Sequence, residues 1–381
     1  MATAVLPAAA APFTPTSDTQ VLATVPARAR DPAARELLAL RQAWQRAPRD
    51  LDAALAYAGR CFAQVAADGD PRQVGHAQAA LAPWFGLADP PPPVRLLRAQ
   101  ILQFDHQFDA ALADLDALLR VQPGNADAWA WRAAIHLVRA DYREAGRSCG
   151  GLAPLAPPLV AEACAAQVDA ANGRAAGAAD ALRAALAASP AAAPETRLWV
   201  LTRLAETEER RGAWAAAEAA FRAALALGVT DVYLQAAHAD FLLDRGRAAE
   251  VLALLKDRGQ ADVLLLRLAL AAMATGDASA PAHAQALAAR FDAARQRGDA
   301  SHQKEEARFL LGVKGDAAAA LPLARANFAL QKEPADARIL LEAALAARQP
   351  ASARPVLDWM AASGIESVVL RQLAARLESL Q

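Results

Sequence analysis

Apolar and polar positions along the chain follow a helical period in short segments that are repeatedly ended by proline. Pro123 and Pro157 lie 34 residues apart, and Pro190 follows 33 residues later. Between these prolines the chain reads as two short amphipathic helices joined by a tight turn. Proline ends the second helix because it cannot continue the backbone hydrogen bonds. A period of this length, with two helices in each unit, predicts a repeat architecture.

Residues 126–159 form the clearest unit. Trp129 begins the first helix, Ala133 follows four residues later, Tyr142 marks the turn, and Ala145 begins the core of the second helix. Small residues at these positions let the two helices of a unit touch, while large residues fill the space between units.

The same frame recurs in five clear units. They begin at positions 92, 126, 159, 198 and 232, so the spacings are 34, 33, 39 and 34 residues. The spacing of 39 comes from a proline-rich insertion at 189–196. Weaker units precede and follow this block, and residues 365–380 predict a C-terminal capping helix.

A large residue at position 4, a small one at 8, Tyr at 17, Ala at 20 and Pro at 32 resembles the tetratricopeptide repeat (TPR). The resemblance covers roughly residues 32–380, with clear repeats in 92–260. It implies an all-α, right-handed α-solenoid of about 8–9 helix pairs plus the capping helix. Residues 1–31 are expected to be a disordered or extended Ala/Pro/Thr-rich segment. Residues 305–347 also resemble uncharacterised proteobacterial TPR proteins that are often exported.

Composition agrees with helices and limits the partners. The 109 alanines among 381 residues favour closely packed helices, and 55% of the residues are hydrophobic. The net charge is -1, without a basic patch, so no nucleic-acid partner is expected. No apolar run is long enough for an integral membrane segment.

The chain lacks the common catalytic and phosphate-binding motifs. Residues 302–306 superficially resemble a metalloprotease helix, but His302 has no second histidine four residues on. We therefore expect no catalytic, cofactor-binding or metal-binding residues and no cofactor.

The cysteines suggest a disulfide. Cys149 lies in the second helix of one unit and Cys164 in the first helix of the next, and these helices pack together in the resembled fold. The alternative is two small buried thiols, with Cys61 unpaired in either case.

Location remains open between two readings. The N-terminus looks like a mature end after a cleavage site, which predicts a periplasmic or exported protein if the native gene carries a signal peptide. The alternative is a cytoplasmic protein with a disordered tail.

The resemblance also implies a partner groove on the concave face, lined by the first helix of each repeat. The groove positions are Gln100, Gln103, Phe104, Asp127, Gln167, Trp199, Glu206, Glu209, Arg210, Tyr233, Asp240 and Asp244. Trp199 and Tyr233 could instead be packing residues. The Lys/Asn/Arg cluster with which chaperone-binding members clamp a C-terminal carboxylate is missing from this sequence.

The sequence thus predicts a monomeric, non-catalytic scaffold that binds a neutral to basic protein or peptide in this groove. A cytosolic regulatory adaptor using the same groove is the main alternative. An enzyme with a noncanonical site on the solenoid is a further one.

Overall fold

The structure is a computed structural model that describes Ser17 and residues 31–298 and 303–380. The described residues form twenty α-helices and no strand. The helices are α1 (Pro32–Arg46), α2 (Leu51–Asp68), α3 (Arg72–Phe85), α4 (Pro92–Phe104), α5 (Phe108–Val121), α6 (Ala126–Val138), α7 (Tyr142–Leu152), α8 (Pro158–Ala171), α9 (Ala175–Ala188), α10 (Pro194–Arg211), α11 (Trp214–Leu225), α12 (Val232–Asp244), α13 (Ala248–Leu254), α14 (Asp262–Thr275), α15 (Ala280–Gln296), α16 (Gln303–Phe309), α17 (Ala317–Leu330), α18 (Pro334–Ala346), α19 (Arg354–Ser363) and α20 (Val368–Glu378).

Consecutive helices pack as antiparallel pairs from α2/α3 to α18/α19, which makes nine pairs in the described part of the chain. Helix α20 follows the last pair, at the position predicted for the capping helix. The prediction of an all-α solenoid is confirmed. Helix α1, which belongs to no predicted unit, packs on α2 through partly buried apolar side chains.

Local sequence explains where the helices begin and end. The Asn125 side chain accepts a hydrogen bond of 2.9 Å from the Ala128 N–H and so caps the start of α6. Gly212 ends α10 in the left-handed conformation, with φ of 80°. Ala133 and Ala145, the two small residues of the predicted contact, are buried where α6 meets α7.

Helices of the last repeats also contact those of the middle repeats, so the solenoid closes on itself. The Lys332 N–H donates to the Val138 carbonyl at 2.7 Å, and the Trp359 indole N–H donates to the Tyr142 hydroxyl at 2.9 Å. These bonds join the α17–α18 turn and α19 to the segment around the α6–α7 turn. The last repeats therefore lie against the middle ones.

A second long-range contact joins the first repeat to the sixth and seventh. Gly69, at the end of α2, has a φ of 68° and lies so close to the start of α14 that an added Cβ would be 2.8 Å from the Ala261 methyl. The Arg258 guanidinium donates to the Ala67 carbonyl at 3.3 Å. Only glycine satisfies both the backbone conformation and the close approach at position 69.

The structure joins Cys149 on α7 to Cys164 on α8 by a disulfide, with 5.5 Å between the Cα atoms. Cys61 is free and buried in α2. Apart from Ser17 and Asp31, the predicted extended segment 1–31 lies outside the described residues.

Candidate functional site

Closure of the solenoid converts the predicted open groove into a central cavity of about 630 Å³. Its walls come from the ends of α2, α4, α6 and α8, from the inner faces of α10, α12, α14 and α16, and from α18 and α20. A volume of this size falls within the range of about 300–1,000 Å³ that is typical of pockets for small ligands.

Most of the predicted groove residues lie in the cavity wall. They are Gln103, Phe104, Gln167, Glu206, Glu209, Arg210, Tyr233 and Asp240. These side chains project from α4, α8, α10 and α12, because the first helix of each repeat lines the inner face.

The other four predicted residues are not in the wall. Asp127 is exposed in the first turn of α6, and Gln100 is half-buried elsewhere on α4. Trp199 packs against the apolar core of the middle repeats. Asp244 pairs with Arg338, with 2.7 Å between Oδ1 and Nη2, and this pair links α12 to α18.

One polar cluster connects α10 with α12. The Glu206 carboxylate pairs with Arg203 at 3.0 Å and accepts a hydrogen bond from the Tyr233 hydroxyl. The Arg203 guanidinium also lies over the Tyr233 ring, 4.4 Å from its centroid. Burial raises the pKa of Tyr233 well above its ordinary value, so the hydroxyl stays protonated and remains a donor.

A second cluster joins α12 to α14 and α16. The two oxygens of Asp240 accept from Arg267 at 3.0 and 2.6 Å, and Arg308 approaches Oδ1 at 2.7 Å. Burial alone would raise the pKa of Asp240, but the two guanidinium groups outweigh it and hold the pKa well below its usual range. This carboxylate is therefore charged and fully matched by the chain's own cations.

Glu209 behaves differently from the other carboxylates. Burial, followed by the charges of Asp244, Glu206 and Asp240, raises its pKa to about 8. The carboxyl group is thus mostly protonated at neutral pH and can donate a hydrogen bond into the cavity.

Two cations in the wall have no acidic partner. Among the described residues, no carboxylate oxygen lies within 4.0 Å of Arg210 or Lys332. Arg210 makes only long contacts of 3.4 Å, to the Glu206 carbonyl and the Thr207 hydroxyl. Burial lowers the pKa of Arg210, and the nearby charge of Glu206 offsets this effect only in part.

The wall as a whole is nearly balanced in charge. Seven basic residues line it: Arg203, Arg210, Arg267, Lys304, Arg308, Lys332 and Arg338. Eight acidic residues line it: Glu206, Glu209, Asp231, Asp240, Asp262, Glu305, Glu333 and Glu342. With Glu209 protonated the positive and negative charges of the wall cancel, whereas the sequence predicted a groove that favours a neutral to basic partner.

Sequence reasoning missed the cations from the late repeats. Arg267, Arg308 and Arg338 lie on the first helices of degenerate units, where the groove positions were not assigned. Extending the repeat frame to these units would have found them, because they occupy the same inward-facing helices.

No group of His, Cys, Asp and Glu side chains that could hold a metal ion occurs in 31–298 or 303–380. His302 lies outside the described residues. None of the described helices is both long and apolar enough to cross a membrane.

Comparison with known proteins supports the fold and little more. No protein-family model matches the chain, and no curated protein matches it. Solved structures do match. In the APC/C hetero-tetramer Cut9–Hcn1, the matched chain is 15% identical, with a TM-score of 0.50 over 86% of this chain. This chain spans only 63% of that one.

Two further matches are more distant. The human IFIT1 dimer with PPP-AAAA is 14% identical over 92% of this chain and 88% of that chain, with a TM-score of 0.47. The P58(IPK) TPR domain is 12% identical over 92% and 94% of the two chains, with a TM-score of 0.24. The repeat frame, the nine helix pairs and the Cut9 match agree, and the chain has the fold of a TPR-type α-solenoid.

Proposed function

We propose that this protein is a non-catalytic scaffold that holds a segment of a protein or peptide partner in its central cavity. The observation that carries the proposal is the cavity wall, which gathers eight predicted groove residues from four different repeats. Phe104 and Tyr233 offer aromatic surface, while Gln103, Gln167 and Glu209 offer hydrogen bonds for a peptide backbone.

The cavity also limits what the partner presents. About 630 Å³ holds only a few residues, so a short extended segment enters and the rest of the partner stays outside. Since Glu206, Asp240 and Glu342 are paired with arginines, and Glu209 is mostly protonated, we expect no strong preference for a basic segment. The absence of a nucleic-acid partner stays a prediction, to be checked by filter binding with single-stranded RNA.

A bulky residue in the cavity should abolish partner binding. Ala335 is exposed, begins α18 and lines the cavity, so Ala335→Trp fills the space without disturbing the buried core. The matched control is Ala184→Trp, at an exposed position of α9 outside the wall. Partners are identified by affinity capture of the native protein followed by mass spectrometry.

We expect the captured partner to be lost from Ala335→Trp, with a Kd at least roughly tenfold weaker, and kept by Ala184→Trp. Both variants should melt like the wild type. Equal binding by both would mean that the partner uses the outer surface, and would contradict a role for the cavity.

The disulfide supports the exported form of this scaffold, because disulfides persist in oxidising compartments. Fractionation of cells that express the native gene distinguishes an exported scaffold from a cytosolic adaptor. A partner recovered only from the cytosol would favour the adaptor.

A further inference from the structure

Arg210 and Lys332 line one cavity from elements that are distant in sequence. Arg210 lies at the end of α10, and Lys332 lies in the turn between α17 and α18, anchored by its own N–H to the Val138 carbonyl. Neither has a carboxylate within 4.0 Å among the described residues. Two cations that line one cavity, with no described carboxylate at ion-pair distance, favour the binding of an anion.

The two acids nearest in the fold are already engaged. Glu206 is held by Arg203 and the Tyr233 hydroxyl. Glu333, next to Lys332, forms a reciprocal capping box with Asp336 at the start of α18. Both carboxylates are thus held by other groups, and neither forms an ion pair with Arg210 or Lys332.

A third donor lies on the same side of the cavity. The Tyr142 hydroxyl accepts a hydrogen bond from Trp359, so its own proton is available to a ligand. Phe104 and Leu137 supply apolar surface nearby in the same wall, which suits the carbon skeleton of an organic ligand. Arginine also presents paired N–H groups that match the oxygens of carboxylates and phosphates.

We propose that Arg210, Lys332 and Tyr142 form a binding site for a small organic anion carrying a carboxylate or phosphate group. The anion supplies a counter-charge at ion-pair distance, which no described carboxylate provides to Arg210 or Lys332. This site does not depend on a protein partner, and its test contains none, so either proposal can fail alone.

The test uses the full-length protein and two probes, sodium succinate and inorganic phosphate, titrated at constant ionic strength against sodium chloride. The melting temperature is followed by intrinsic fluorescence, and Kd by calorimetry. We expect a saturable rise in melting temperature with at least one probe and none with chloride. The probe that binds more tightly distinguishes a carboxylate ligand from a phosphate ligand.

The variants are Arg210→Gln and Lys332→Gln, with Arg120→Gln as control, because Arg120 is exposed on α5 and outside the wall. Each cavity variant should weaken probe binding by roughly tenfold or more, whereas the control should bind like the wild type. Without probe, Arg210→Gln should melt no lower than the wild type, because an unpaired charge has been removed.

Three results would overturn the proposal. The first is no saturable shift in the wild type with either probe. The second is unchanged binding by Lys332→Gln, a variant that disturbs no side-chain bond. The third is a markedly lower melting temperature of Arg210→Gln without probe, which would mean that Arg210 is paired within the chain.

Discussion

At the scale of single residues, two carboxyl groups of the cavity wall differ in their protonation state. Asp240 is held by Arg267 and Arg308, while Glu209 faces other acids and has its pKa raised to about 8. The first group is a charged structural link, and the second is a mostly neutral donor at pH 7.

Glu209→Gln should stabilise the protein, and the gain should grow with pH. In the unfolded chain Glu209 ionises above its ordinary pKa of 4.5, whereas the folded protein keeps it protonated up to about pH 8. The folded state therefore binds the extra proton, and stability is lost as pH rises between these values. Urea unfolding at pH 5, 7 and 8.5 measures the difference between variant and wild type.

Asp240→Asn is the contrasting control. It leaves two arginines without a counter-charge and should lower the free energy of unfolding by on the order of 3 kcal/mol at neutral pH. A Glu209→Gln advantage that did not change with pH would contradict the raised pKa.

At the scale of helices, small residues let the two helices of a repeat pack closely, and further contacts join each repeat to the next. Between α7 and α8 this link is covalent, since Cys149 and Cys164 are joined across 15 residues of sequence. A bond that closes a loop of this length contributes about 3 kcal/mol, mainly by restricting the unfolded chain.

Thiol titration of denatured protein tests the disulfide. Without reductant, protein purified from an oxidising compartment should show one thiol, Cys61, and with reductant it should show three. The control Cys61→Ser should show none before reduction. Three thiols in unreduced protein would exclude the bond, and Cys149→Ala would then cost far less than about 3 kcal/mol.

At the scale of the whole molecule, closure decides access to the cavity. The Arg338–Asp244 pair and the Trp359–Tyr142 hydrogen bond tie the last repeats to the middle ones. Apolar and backbone contacts add to these ties, such as Val368 beside Gly212 and Gly364 beside Gly173. Removal of the two polar ties should therefore loosen the closed form without loss of the repeats themselves.

The double variant Arg338→Ala/Trp359→Phe should loosen this closure. Hydrogen exchange should increase in the α6–α7 turn and in α18, while α8 and α9 keep wild-type protection. Arg354→Ala is the control, because its pair with Asp358 is exposed on α19. Wild-type exchange in the double variant would mean that other contacts hold the solenoid closed.

The sequence by itself determined the repeat frame, the helix pairs and five of the ten cavity-lining positions on α10 and α12. These depend on local signals, such as proline after helix ends, small residues at Ala133 and Ala145, and the period of 33–34 residues. The repeat frame did not predict the position of Trp199 correctly. Its repeat position belongs to the groove, but its side chain packs on the core.

Only the tertiary structure decided that the groove is closed and that Asp240 pairs with Arg267 and Arg308. It also decided that no carboxylate of the described residues lies within 4.0 Å of Arg210 or Lys332. These features depend on the small rotation between successive repeats, summed over nine pairs. A local period does not specify that sum, because a slight change in each rotation moves the ends of the solenoid apart. The contacts of Lys332 with Val138 and of Gly69 with Ala261 arise only when the summed rotation brings these distant repeats together.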